Sequence, residues 1–157
     1  MVIFKSTWNV SVLHNALRYF WIFTGVLGLI GIRVLEDGIF YDPFLAFFRS
    51  ADQNAVMPDF HWGKLIISYL FRFVLTTIFS VLIIHFLFLK KEWTKQALIL
   101  ITLIFVIVLP IYLLCIYDKF QFGYLFSFYI RRFVIQPLTL LLIVPIFYYR
   151  KKITELN

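Results

Sequence analysis

Arg72 and the adjacent pair Arg131 and Arg132 stand where chemistry inside an apolar chain is most conspicuous. Each opens an uncharged stretch, Phe73 to Leu89 and Phe133 to Tyr149, of 17 residues apiece, and in the first His85 is the one titratable side chain. Both stretches begin Arg-Phe-Val and close on basic residues, Lys90–Lys91 and Arg150–Lys152. A helix of that length covers roughly 25 Å against a bilayer hydrocarbon core of about 30 Å. Arginine at mid-membrane costs about 2.5–3.5 kcal/mol on insertion scales and much less near the interface. Its planar fork suits bidentate binding of carboxylate or phosphate. Arg33, at the end of the first apolar stretch, joins the set, and Glu36, Asp37, Asp42, Asp59 and Asp118 are placed near it by the predicted topology. Gln136 follows Arg132 by one turn and is a candidate hydrogen-bonding bridge to another helix. Three readings of the cluster stay open: internal ion pairing that folds a loop onto the helices, an outward site for an anion or peptide backbone, and simple snorkelling.

Cys115 and His61 fall near the same predicted membrane surface, so a Cys/His/Arg set for thiol transfer is conceivable. Against it, Leu-Leu-Cys-Ile-Tyr contains no glycine or serine turn to expose a thiolate or build an oxyanion hole. Buried cysteine commonly serves as a small hydrophobe. The single cysteine excludes an internal disulfide and a cysteine-based metal site. His14 and His85 lie on the opposite half from His61, so no metal is expected, and no cofactor. His85 is expected to hydrogen-bond within the bundle.

The positioning elements are apolar helices. Of 157 residues 62% are apolar and 21% aromatic, and mean hydropathy is +0.91. Soluble chains carry about 45–50% apolar residues. The formal charge of +7 comes from short basic clusters at the ends of apolar runs, where topology signals sit, and not from a basic face or a nucleic-acid motif. The expected fold is an all-α membrane protein, one domain over 1–157, with spans at about 13–35, 65–89, 97–117 and 124–149. The N-terminal run lacks a small-x-small cleavage site and is expected to be retained. Gly25, Gly28 and Gly31 predict a close helix contact on the first span. Arg18 and Arg33 are expected to snorkel from its two ends. Asp42 and Pro43 read as cap and first residue of a short amphipathic helix in the first outer loop, laying Phe44, Leu45, Phe47 and Phe48 on the membrane surface. Pro110, Pro137 and Pro145 should each bend their helix. Trp8, Trp62, Trp93, Tyr148 and Tyr149 fit an interfacial belt.

Basic residues are nearly balanced between the two sides, so position decides orientation. Lys5, Arg18, Lys90, Lys91, Lys95 and Arg150–Lys152 occupy short tails and a short loop at clean span ends. Both termini are therefore expected in the cytoplasm, with the acidic loop outside.

Certain segments resemble the exosortase F system-associated membrane protein family of Bacteroidetes. They are Arg-Val-Leu-Glu-Asp at 33–37, Phe-Tyr-Asp-Pro-Phe at 40–44, Lys-Leu-Ile at 64–66 leading to Phe-Arg-Phe at 71–73, and Arg-Arg-Phe-Val-Ile-Gln-Pro at 131–137. The resemblance spans about Arg18 to Lys151. It implies an inner-membrane accessory to a sorting system in which a membrane cysteine transpeptidase processes C-terminal signals, with exosortase F or its substrates as partners beside membrane lipids. It implies no catalytic residue here, and the exosortase Cys, Arg and His motifs are absent. The expected function is non-enzymatic: holding the partner enzyme, or a substrate's membrane segment, through the outer arginine/acidic cluster. The alternatives are an anionic lipid- or anion-binding membrane protein, and a processing enzyme dependent on Cys115.

Overall fold

A computed structural model of the chain describes the backbone of residues 3–49 and 57–156 and the side chains of 15–49 and 57–153. Asp52 and the side chains of Lys5, Trp8 and His14 lie outside the described residues. The order is α1 (Ile3–Val34), α2 (Glu36–Ile39), α3 (Phe44–Arg49), α4 (Trp62–Phe88), α5 (Lys91–Tyr117), α6 (Tyr124–Ile135) and α7 (Leu138–Leu156). Three stretches are long and apolar enough to cross a membrane: Asn15–Val34, Trp62–Phe88 and Lys91–Tyr117. The pair α6 and α7 passes the same test only when taken together, across a 67° bend.

That bend falls at Pro137, where one was expected, and divides the stretch at 124–149 into two helices. Proline restricts the residue before it to extended backbone, and Gln136 indeed sits at φ −110° and ψ 148°. Pro137 also has no N–H to offer the preceding turn. The helix ends at Ile135 and restarts at Leu138. Pro110 and Pro145, by contrast, lie inside α5 and α7, which run through them.

Helix α4 is central, packing against α1, α5 and α6, while α7 lies mainly against α5. Apolar burial drives little helix association in lipid, so close packing has to do so. Gly25 and Gly28 supply it: a Cβ at Gly25 would sit 2.6 Å from Ile83 Cγ1, and one at Gly28 would sit 2.4 Å from the Phe79 ring. Gly31 meets nothing within 4 Å. Successive steps of three residues drift about 60° around a helix, which carries the third glycine out of the contact. At the far end of α4, Arg18 does not snorkel. Its guanidinium donates to the carbonyls of Phe86 (2.6 Å) and Leu87 (2.5 Å), which belong to the last turn of α4 and lack helical partners.

Two apolar clusters fill the bundle. One, near α2 and α3, gathers Phe44, Phe48, Leu65, Tyr112, Cys115 and Phe120. The other, at the opposite end, gathers Ile84, Phe88, Trp93, Ile143 and Phe147. The short helix α3 does occur in the first loop, but its apolar face turns inward. Phe44 is fully buried against Phe60 and Phe120, and Phe48 packs on Phe120, Tyr124 and Phe128. The surface-lying reading of this helix is thus replaced by a cap docked on the bundle. Trp93 likewise leaves the interfacial belt for the core, ringed by Phe88 and Phe147 with Lys90 over its face, whereas Trp62, Tyr148 and Tyr149 stay exposed.

Gly28→Ala should destabilise the bundle by about 1–3 kcal/mol through overpacking against Phe79. Gly31→Ala should be neutral or stabilising, because a helical glycine costs about 1 kcal/mol relative to alanine where space allows. Thermal unfolding of both variants in one detergent makes the comparison.

Candidate functional site

Glu36, the first residue of α2, meets two guanidinium groups. Its side chain is 1% exposed. Arg33 Nη1 donates to Oε1 at 2.8 Å and to Oε2 at 2.6 Å, and Arg72 Nη2 donates to Oε2. Arg49 Nη2 stands 3.9 Å from Oε1 and Nη1 donates to Asp37 Oδ2 at 3.0 Å. Arg72 is itself only 2% exposed, so it is the buried member that most needs the carboxylate.

Arg72 has a second task. Its Nε–H donates to the carbonyl oxygen of Ile135 at 3.1 Å. Ile135 is the last residue of α6, and the helix break at Pro137 leaves that carbonyl without its helical donor. The arginine therefore bridges the acid of the cap and the broken end of α6. Phe40 closes over it, with the guanidinium carbon 5.2 Å from the ring centre.

A parallel arrangement holds α3. Arg131 Nη2 donates to Asp42 Oδ2 at 2.6 Å, with side chains 5% and 2% exposed. The Tyr69 hydroxyl lies 3.2 Å from Asp42 Oδ1 and 3.3 Å from the Tyr112 hydroxyl. One phenolic proton serves only one acceptor, so when Tyr69 donates to Asp42 it accepts from Tyr112. Asp42 thus acts as an ion-pair and hydrogen-bond acceptor for two buried groups, not as a helix cap. Arg131 lies against the Phe48 ring at 5.5 Å.

Of the nine residues the sequence nominated, Arg33, Glu36, Asp37, Asp42, Arg72 and Arg131 are brought into these two ion-paired groups. The other three are not. Arg132 is exposed; its Nε donates to Gln136 Oε1 at 3.3 Å and its guanidinium covers Phe128. Gln136 therefore answers its own helix and not a neighbouring one. Asp59 is exposed and makes no ion pair among the described residues. Sequence reasoning missed Arg49, Tyr69 and Tyr112. Arg49 had a legible signal, the last turn of the short helix beside two acids, whereas the tyrosines sit in apolar runs with nothing to mark their hydroxyls.

Cys115 is 1% exposed within the cluster that contains Phe44 and Tyr112. His61 is exposed, and its backbone N–H donates to the Tyr41 hydroxyl at 3.3 Å. His85 Nδ1 lies 3.3 Å from Thr94 Oγ1, the intrabundle bond expected of it. Among the described residues no three His, Cys, Asp or Glu side chains are grouped to hold a metal.

These features define an all-helical, multi-pass membrane protein whose buried arginines are neutralised from a loop-borne cap. Comparison with protein-family models, curated proteins and solved structures returns no match.

Removing one member of a buried ion pair strands the other and costs about 3–5 kcal/mol. Glu36→Gln and Asp42→Asn should each fall in that range. Arg132→Ala, at an exposed position, should stay within about 0.5 kcal/mol. Unfolding of the purified protein by graded denaturing detergent ranks the three.

Proposed function

We propose that this chain is a non-enzymatic accessory protein of an exosortase-type sorting system in a bacterial inner membrane. In this reading it crosses the membrane four times, with α6 and α7 together as the broken fourth span. Both termini are cytoplasmic and the α2–α3 cap faces outward. The observation that carries the proposal is where the family-like segments fall. Arg-Val-Leu-Glu-Asp contributes Arg33, Glu36 and Asp37, and Phe-Tyr-Asp-Pro-Phe contributes Asp42. Phe-Arg-Phe contributes Arg72, and Arg-Arg-Phe-Val-Ile-Gln-Pro contributes Arg131. The segments that carry the resemblance are the ones that pin the cap to the helices, so the cap is the shared feature on which an accessory role would rest.

The buried arginines are committed to Glu36 and Asp42 and are not free to grip a partner directly. Their part is to fix the cap's shape, and the exposed acids Asp37 on the cap and Asp59 before α4 meet the partner enzyme or the membrane segment of its substrate. The thiol-dependent alternative has weaker support, since Cys115 lies buried in the apolar core.

Tagged protein should copurify with exosortase F from detergent-solubilised membranes. Asp37→Lys combined with Asp59→Lys should lower that recovery several-fold, and Cys115→Ala should leave both recovery and sorting unchanged. No association with the unaltered protein, or sorting abolished by Cys115→Ala, would contradict the accessory role.

A further inference from the structure

Two concavities meet at the break between α6 and α7. One is a groove of about 520 Å³, walled by Val26 and Ile30 of α1, Ile83 of α4, and Leu138 and Leu141 of α7, with Arg33, Arg72 and Gln136 also lining it. The other is a cleft of about 140 Å³ whose lining includes Arg33, Arg49, Arg131, Arg132 and Gln136. Arg33 and Gln136 border both, so a polar cleft continues into an apolar groove.

The charge around this junction is unbalanced. Arg33, Arg49, Arg72, Arg131 and Arg132 face only Glu36, Asp37 and Asp42 in ion pairs among the described residues. Moreover, Arg72 and Arg131, both more than nine-tenths buried, leave Nη1 and Nε respectively with no hydrogen-bond partner. Buried donors on a charged group are costly to leave unmet. The first arginine lines the groove and the second lines the cleft. The excess of guanidinium groups, with a buried donor of Arg131 unmet beside the cleft, calls there for an acceptor bearing negative charge.

Size decides what else the occupant carries. The groove's volume lies within the roughly 300–1,000 Å³ usual for small-molecule sites, and its walls suit a thin apolar chain. The groove's outer wall, with Ile30 52% and Leu141 68% exposed, belongs to the surface that faces hydrocarbon in a membrane.

We propose that cleft and groove together form one binding site for an anionic phospholipid. The headgroup phosphate sits among the guanidinium groups of Arg33, Arg49, Arg131 and Arg132, and one acyl chain lies along the α1–α4–α7 groove. Arginine's fork suits phosphate oxygens in pairs. This goes beyond the accessory role and does not depend on it, since it is tested without any partner protein.

The test uses delipidated full-length protein in a neutral detergent, with binding followed by native mass spectrometry and stability by thermal unfolding. The probes are phosphatidylglycerol, phosphatidylcholine and inorganic phosphate. Phosphatidylglycerol should bind at least tenfold more tightly than phosphatidylcholine and raise the unfolding temperature, and inorganic phosphate at the same concentration should do neither. Arg49→Gln with Arg132→Gln, both at exposed positions, should cost at least tenfold in phosphatidylglycerol affinity and much less for phosphatidylcholine. Val26→Trp with Leu141→Trp should weaken both lipids by filling the groove, while lipid-free unfolding of each variant checks its fold. Equal binding of the two lipids, insensitivity to either pair of substitutions, or full stabilisation by inorganic phosphate alone would overturn the proposal.

Discussion

Arg72 is the constraint around which the described structure closes. A fully buried guanidinium in an apolar bundle is tolerated only with a counter-charge and with most of its donors answered. Glu36 supplies the charge from the loop, and the Ile135 carbonyl supplies an acceptor from the broken end of α6. Each of the three then has a reason for its position. The cap comes down because its carboxylate is drawn to the arginine. The helix break is bearable because the freed carbonyl has a donor. The arginine is bearable because both are present. Such mutual satisfaction favours one arrangement over looser ones, because each partly satisfied alternative strands a polar group.

The second pairing repeats this logic one step along the loop. Asp42 collects Arg131 and Tyr69, with Tyr112 behind, and so seats α3 with Phe44 and Phe48 in the core. Two acids only a few residues apart in one loop therefore grip α4 and α6, helices that are far apart in the chain. The other end of the bundle is held differently, by close glycine packing of α1 on α4 and by Arg18 on the last carbonyls of α4. Charge organises one end and shape the other. The excess of arginine over carboxylate collects at the charged end, where the lipid-sized groove opens.

Much of this was legible in the chain. Uncharged runs bounded by basic residues marked helices of membrane length, and arginines flanked by apolar sequence left internal pairing as one of three readings. The loop acids were its candidate counter-charges, a part that Glu36 and Asp42 take. What sequence could not choose was the face. Arg131 and Arg132 are equivalent as letters, but adjacent residues differ by about 100° around a helix, and only packing puts Arg131 inward and Arg132 outward. The repeated Arg-Phe-Val sets Arg132 level with Arg72 in the sequence, but the second buried, ion-paired arginine is Arg131. Pro110, Pro137 and Pro145 looked alike too, yet only Pro137 coincides with a break, where a buried donor takes up the carbonyl of Ile135. The aromatic run of α3 fitted a membrane surface or a core equally well until the ion pairs that tether it were known.

The central claim is that Arg72 and Glu36 stabilise the bundle through each other. A double-mutant cycle with Arg72→Met, Glu36→Leu and their combination, read by reversible unfolding in mixed detergent micelles, measures that coupling free of each residue's separate effects. The account predicts a coupling energy of at least about 1 kcal/mol, within the range of contacting residues, with the double variant more stable than either single one. Additive losses, with coupling near zero, would contradict it.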